Sequence, residues 1–293
     1  MAWKVSPRSV AHEDAGLAKK HGSPGKVEQL SPKFRQVSES SQDTFAGSAG
    51  SRGKTLVVVP TYNEIENLER LVGSVFAQGA YDLLVVDDGS PDGTGELAEQ
   101  LKERYPGRLD VIHRAGKLGL GTAYIAGFGY ALEYGYELVF EMDCDFSHDP
   151  RELPRLARAA EHADLVIGSR YVAGGATPDW PLIRRLISRG GSLYTRLVLG
   201  IGVGDLTSGF KCFRRGLLVA LDLNSIGSTG FGFQVEVNWR AYQLGFRIVE
   251  VPITFVDRRA GRSKMSSGIF FEALTMVWRL RLAGNRGSGL PVR

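Results

Sequence analysis

Short apolar runs recur along the chain, and each is followed by a stretch with helical spacing. Thr55-Leu56-Val57-Val58-Val59 is a β-branched run closed by Pro60, and Leu83-Leu84-Val85-Val86, Val111-Ile112-His113 and Leu138-Val139-Phe140 follow it. Between them Ile65, Leu68, Leu71, Val72 and Val75 share one helical face. Glu96, Leu97 and Leu101 mark a second helix, and a third runs from a Gly-rich loop through Tyr134. Continuous rather than alternating apolar runs predict strands covered on both faces. Their alternation with helices predicts an α/β fold built on a parallel, doubly wound sheet. Further strands are expected over 164–170 and 248–255, the second at an edge because Pro252 cannot donate to a ladder. Further helices are expected from Trp180 to Arg189, from Phe231 onward and over 269–282. Asn63 is expected to cap the first helix, and the turn Ser90-Pro91-Asp92-Gly93 with Thr94 to cap the second.

The pattern is missing from residues 1–52, which are rich in Ser, Gly, Lys and Gln and are predicted to be a disordered tail. Residues 53–285 are then one domain, and 286–293 a flexible C-terminus. The chain has 293 residues and a formal charge of +4. The first 52 residues hold 8 Lys/Arg against 5 Asp/Glu, so the expected domain is nearly neutral. That argues against nucleic acid as a partner, since a binder's basic excess should lie in the fold. Cys144 and Cys212 lack metal-ligand spacing and fit a reducing compartment. No apolar run reaches the ~18 residues of a membrane span, and no signal-peptide pattern is present. The expected location is peripheral, on the cytoplasmic face of a membrane rather than across it.

The acids sit where the strands end. The fourth run continues Glu141-Met142-Asp143-Cys144-Asp145-Phe146-Ser147-His148. On an extended backbone Asp143 and Asp145 would point the same way. Two like charges there repel unless a cation lies between them, so the pair is a candidate divalent-metal site carrying a diphosphate. The plainer reading is a polar loop. Ligands of open α/β sheets bind beyond the carboxyl ends of the strands. After the first strand, Tyr62 offers a ring for a base to stack on, and Glu64 accepts hydrogen bonds from base or ribose. After the second, Asp88 is placed to hold ribose or base. For the Gly-rich loop Arg114–Ala123 two readings stand open, backbone N–H groups around a phosphate or tight helix packing. It matches neither the Walker nor the Rossmann spacing. Three such strand ends on one sheet edge suggest a nucleotide-diphosphate site with a metal.

Pro60-Thr61-Tyr62-Asn63-Glu64, Asp87-Asp88-Gly89-Ser90-Pro91-Asp92-Gly93-Thr94, Leu118-Gly119-Leu120-Gly121-Thr122-Ala123-Tyr124 and Met142-Asp143-Cys144-Asp145-Phe146-Ser147-His148, in this order, resemble the polyprenol-phosphate (dolichol-phosphate) mannose synthases. These are GT-A enzymes of glycosyltransferase family 2. The resemblance implies a Rossmann-like, mostly parallel central sheet flanked by helices, with a C-terminal amphipathic helix. It implies transfer of mannose from GDP-mannose to a polyprenyl monophosphate with inversion at the anomeric carbon. Pro60, Tyr62 and Glu64 would hold guanine, and Val86 and Asp88 would sit by base and ribose. Asp143 and Asp145, with the backbone of Cys144, would hold Mg²⁺ or Mn²⁺ and the diphosphate. Ser147 joins them as a metal-ligand candidate; some relatives carry an amide side chain there. Arg258 and Lys264 would contact the donor phosphates.

Beside a diphosphate and a metal, Arg170 at a strand end reads as a phosphate ligand, since guanidinium matches phosphate oxygens. The helix beginning near Trp180 is basic and amphipathic, the pattern of an interfacial membrane element. With a lipid acceptor, Arg184 and Ser188, which share one helix face, are assigned to the lipid phosphate. Gln234 and Glu236 either line the sugar pocket or serve a capping or core role. A phosphate monoester is already anionic, so no side-chain base is nominated; Asp145 and Arg170 are the catalytic candidates. The missing span leaves room for a membrane-anchoring protein partner. The rivals are a polyprenyl-phosphate glucose synthase using UDP-glucose and a non-catalytic nucleotide-binding scaffold.

Overall fold

The structure, a computed structural model, describes residues 54–228, 230–257 and 275–282. The expected N-terminal tail, the C-terminal 286–293, Arg258 and Lys264 lie outside the described residues. The described residues fall in one unit, Ser41–Arg293. Its strands are β1 (Thr55–Thr61), β2 (Asp82–Asp87), β3 (Leu109–His113), β4 (Leu138–Glu141), β5 (Leu165–Ser169), β6 (Lys211–Arg214) and β7 (Ile248–Pro252). Its helices are α1 (Ile65–Phe76), α2 (Thr94–Arg104), α3 (Leu120–Glu133), α4 (Leu153–Ala159), α5 (Leu182–Leu199), α6 (Arg215–Ala220) and α7 (Phe231–Gln243). Residues 275–282 are also helical.

The strands form one sheet in the order β3-β2-β1-β4-β6-β5-β7. All pairings are parallel except those of β6, which runs antiparallel to both β4 and β5. Each strand feeds both faces. Leu56 and Val58 of β1 enter a core with α3, α6 and α7, while Val57 and Val59 enter a second core with α1, α2 and α4. This two-sided burial is why the strands read as unbroken apolar runs. β7 closes one edge, as Pro252 required.

The winding positions the site. From β1 the chain moves outward to β2 and β3, then returns to place β4 on the other side of β1. The order reverses between β1 and β4, and a crevice opens beyond the carboxyl ends of strands at such a switch point. Close packing keeps α3 tight against the sheet behind this crevice. A Cβ on Gly127 would run into a Val58 methyl, and one on Gly121 would lie 2.9 Å from the Phe233 side chain.

Two local expectations are corrected. Asn63 does not cap α1: it takes a left-handed φ of 60°, and Glu64 occupies the cap position. The turn after β2 serves α1 instead. Ser90 Oγ accepts from Asn63 N–H, Thr94 Oγ1 from Glu64 N–H, and Asp92 Oδ2 from Ile65 N–H. Asp92 Oδ1 meanwhile accepts from Thr94 N–H at the start of α2, so one aspartate satisfies donors at two helix N-termini. Second, β4 stops at Glu141, and Asp143 and Asp145 lie in the turn beyond it rather than on an extended strand. Phe146 there has a φ of 60°.

Candidate active site

The first wall is built where β1 and β2 end level, Pro60 opposite Val86 and Thr61 opposite Asp87. Asp87 is buried and structural. It accepts from Thr61 Oγ1 at 2.9 Å, from Ser90 Oγ at 2.5 Å and from Ser90 N–H at 3.0 Å, tying the two strand ends together. Asp88, next in sequence, faces Arg114 Nε at 3.0 Å. Burial pushes its pKa up, and Arg114 with the backbone N–H groups of Gly119 and Leu118 pulls it back. Lys117 lies over the Tyr62 ring, 4.4 Å from its centroid. Glu64 accepts from the Asn67 side-chain amide at 2.9 Å. The loop after β3 therefore brings one cation to each of two side chains expected at the base, Tyr62 and Asp88. This contact was not legible in the loop's glycine spacing.

The second wall is the turn after β4. Two buried aromatic side chains hold Asp143. Tyr124 of α3 donates its hydroxyl to Oδ1 at 3.2 Å, and His148 Nδ1 accepts Asp143 N–H at 3.1 Å. Burial pushes the His148 pKa down, which leaves a neutral imidazole whose proton sits on Nε2. Its ring stacks on Phe210, with centroids 5.0 Å apart. Asp145 is 5% exposed, and its Oδ1 accepts Ser147 N–H at 3.0 Å. Cys144 between them is buried, and burial raises its thiol pKa well above the usual value.

The donor chemistry fits a hard divalent cation. Ser147 Oγ is buried and has no hydrogen-bond partner among the described residues, an orphan oxygen in the same turn as the two carboxylates. Among the described residues no group of three or more His, Cys, Asp and Glu side chains is arranged to hold a metal alone. A pair of carboxylates with a hydroxyl suits Mg²⁺ or Mn²⁺, which take oxygen ligands and are commonly completed by substrate phosphates and water.

Behind the pair lies a buried charge couple. Glu141 at the end of β4 pairs in register with Lys211 of β6. Burial raises the Glu141 pKa to about 7, against the pull of Lys211, and lowers that of Lys211 to about 8, against the pull of Glu141. Lys211 Nζ donates to the Gln234 carbonyl at 3.3 Å and to its Oε1. Glu236 accepts from Ser228 N–H at 3.1 Å and pairs with Arg240 at 2.6 Å. Glu236 and the Oε1 of Gln234 thus have protein partners, whereas Gln234 Nε2 is buried with no hydrogen-bond partner among the described residues.

Arg170 follows β5 and is 7% exposed. Its Nε and Nη2 meet the two oxygens of buried Asp205 at 2.7 and 2.6 Å, and Nη2 also reaches Thr207 Oγ1 at 2.7 Å. Burial alone would lower its pKa, but Asp205 outweighs it and the net shift is up. Glu250 of β7 in turn accepts the backbone N–H groups of Gly204 and Asp205. Arg184 bonds both oxygens of Asp257 at 2.8 Å and stacks on Trp180, 4.0 Å from the ring centroid. Ser188 Oγ meets Tyr171 OH at 2.5 Å. Trp180 is buried and donates Nε1–H to Asp257, so it braces this cluster.

The helix α5 inverts the usual pattern. It buries Ser192, Thr195 and Leu199 and leaves Leu182, Ile183, Leu186, Ile187, Leu193 and Leu197 exposed by 53–75%. Helix 275–282 lies beside its C-terminal end, where Arg281 donates to the Leu199 carbonyl at 3.2 Å. That helix adds exposed Trp278 and Leu282. Among the described residues no helix is long and apolar enough to cross a membrane.

The family model described as glycosyl transferase family 2 matches residues 56–221. A Micrococcus luteus protein named undecaprenyl-phosphate mannosyltransferase is 51% identical over 241 residues, covering 82% of this chain and 98% of the relative. The polyprenol monophosphomannose synthase of Mycolicibacterium smegmatis is 48% identical over 241 residues, covering 81% of this chain and 91% of the relative. Among solved structures, glucosyl-3-phosphoglycerate synthase from Mycobacterium tuberculosis, in complex with Mn²⁺, UDP-glucose and phosphoglyceric acid, aligns with a TM-score of 0.57. That alignment covers 82% of this chain and 81% of the other at 20% identity, a likeness of fold.

Proposed function

The chain belongs to glycosyl transferase family 2, and from that premise we propose that it is an inverting glycosyltransferase moving mannose from GDP-mannose to a polyprenyl monophosphate at a membrane surface. The observation that carries this reading is that the β1/β4 switch point sets the strand ends bearing Tyr62 and Asp88 beside the turn that holds Asp143 and Asp145. The names of the two relatives over nearly their whole length support the sugar and the acceptor class.

In this reading Pro60, Tyr62, Glu64, Val86 and Asp88 receive guanine and ribose. Guanine brings N–H donors to its Watson–Crick edge, which carboxylates of the Glu64 and Asp88 type accept. Asp143, Asp145 and Ser147 hold Mg²⁺ or Mn²⁺, with the Cys144 backbone alongside the diphosphate. When bound, the metal supplies positive charge to the departing diphosphate. Tyr124 and His148 fix Asp143 before substrate arrives. An oxygen of the lipid phosphate attacks the anomeric carbon, the bond from that carbon to the diphosphate oxygen breaks, and GDP leaves with the electron pair. Arg170, held in place by Asp205, orients the attacking phosphate together with Arg184 and Ser188, which exchange their present partners, and Arg258 and Lys264 cover the diphosphate. Catalysis rests on positioning and charge stabilisation, with no proton to remove. The exposed apolar face of α5 rests in the membrane interface, where Leu and Ile are better placed than in water; an anchoring protein partner on the same face belongs to this proposal.

Calorimetric titration with GDP and UDP in the presence of Mn²⁺ tests the donor. GDP is expected to bind at least about tenfold more tightly, because a site built to accept guanine's donors leaves its acceptors unpaired with uracil. Equal affinities, or tighter UDP, would favour the UDP-glucose alternative.

A further inference from the structure

Beside the acceptor cluster is a cavity of about 400 Å³ between the segment after β5 and the first half of α5. Arg170, Arg185 and Arg189 supply its charge, Thr177 a hydroxyl, and Leu182 and Leu186 its apolar side. Among the described residues no Asp or Glu lines it. The three cations differ in what they have to offer. Arg170 is neutralised by Asp205. Arg185 uses Nη2 on the carbonyls of Thr177 and Pro178, at 2.7 and 3.0 Å, neutral acceptors that leave its charge uncompensated. Arg189 lies over the Tyr171 ring at 5.7 Å, and no described carboxylate pairs with it. Leu182 and Leu186 belong to the exposed apolar face of α5, at 75% and 68% exposure.

A pocket of this size, basic within and apolar at one side, matches a ligand with an anionic head and a hydrocarbon tail. We propose that this cavity is the entry site for a lipid-borne phosphate monoester, with Arg185 and Arg189 gripping the phosphate and Leu182 and Leu186 receiving the start of the chain. The proposal rests on the polyprenyl-phosphate reading above and adds a site to it. Arg184 and Ser188 occupy one helix face, and Arg185 and Arg189 the next, ~100° around the helix. Tyr171 links the two faces, bonding Ser188 with its hydroxyl and meeting Arg189 with its ring. A phosphate held by Arg189 is thus one side chain away from the Arg184/Ser188 cluster.

Arg189→Ala is the cleanest variant, because Arg189 is exposed and its removal breaks no described hydrogen bond. Its KM for polyprenyl phosphate should rise about tenfold or more, the loss of a charge-assisted contact, with the KM for GDP-mannose and the melting temperature nearly unchanged. Inorganic phosphate at the same concentration should not compete with the lipid. Flotation with phosphatidylglycerol vesicles should be the same for wild type and variant, while flotation with vesicles carrying polyprenyl phosphate should be weaker for the variant. An unchanged lipid KM would overturn the site, as would inorganic phosphate competing as well as the lipid, or an equal loss of flotation on both vesicle types. If the wild type makes no lipid product at all, the function reading falls. The polyprenyl-phosphate flotation pair still decides the cavity in that case, a difference between the proteins supporting it and equality rejecting it.

Discussion

Replacing Asp145 with alanine should leave a folded protein that transfers no measurable sugar. Asp145 is one of two carboxylates in the turn after β4, and its Oδ1 accepts Ser147 N–H, a bond on which local structure depends. Losing that acceptor costs roughly 1–3 kcal/mol, and in a chain of this size each kcal/mol lowers the melting temperature by roughly 2–4 °C. The fold, held by two cores on either side of a seven-stranded sheet, tolerates that loss. Activity is another matter. No third acidic or imidazole ligand stands among the described residues to take over. Metal stabilisation of a leaving diphosphate is worth several kcal/mol, and at 1.36 kcal/mol per factor of ten the expected loss is on the order of a thousandfold or more. Circular dichroism and a single-turnover assay separate the two effects. Normal turnover by a folded variant would remove the metal from the account.

Asp205→Ala should be the most destabilising single change near the site. Asp205 is fully buried and takes the backbone N–H, Nε and Nη2 of Arg170. Removing it strands a guanidinium that is itself 7% exposed, and breaking a buried ion pair from one side costs about 3–5 kcal/mol. The melting temperature should fall by about 10 °C. The cost belongs to the stranded charge, so Arg170→Leu together with Asp205→Leu should recover much of the loss. A melting temperature for Asp205→Ala within a degree or two of wild type would show that Arg170 finds other compensation, and that the pair does not hold it in place.

The order of strands and helices was legible because both faces of the sheet are buried, and apolar runs such as Leu83–Val86 have no other good reading. The position of the base-site and metal-site candidates was legible too, because Tyr62 and Asp88 follow directly on strand ends and Asp143 lies two residues past one, and chain order alone places these ends at one sheet edge. Partners far apart in sequence were not legible. Arg170 and Asp205 are 35 residues apart, and Arg184 and Asp257 are 73 apart; local spacing carries no trace of either pair. Asn63 misled because its side chain suits a helix cap, whereas here it takes the left-handed conformation and the turn Ser90–Thr94 supplies the acceptors. Trp180 opens the basic amphipathic helix, and its bond to Asp257, 77 residues further on, has no trace in local spacing either. Tyr124 and His148 lay within motifs singled out in the sequence, yet their hold on Asp143 depends on how α3 and the post-β4 turn meet in space.

The most direct test is transfer of radiolabelled mannose from GDP-mannose to polyprenyl phosphate by the full chain in detergent or vesicles, with and without a chelator, and with UDP-glucose as the rival donor. The account predicts an organic-soluble, β-linked mannosyl phospholipid that forms from GDP-mannose, disappears with chelator and returns when Mg²⁺ or Mn²⁺ is restored. Product formation unaffected by the chelator, or a clear preference for UDP-glucose, would contradict it.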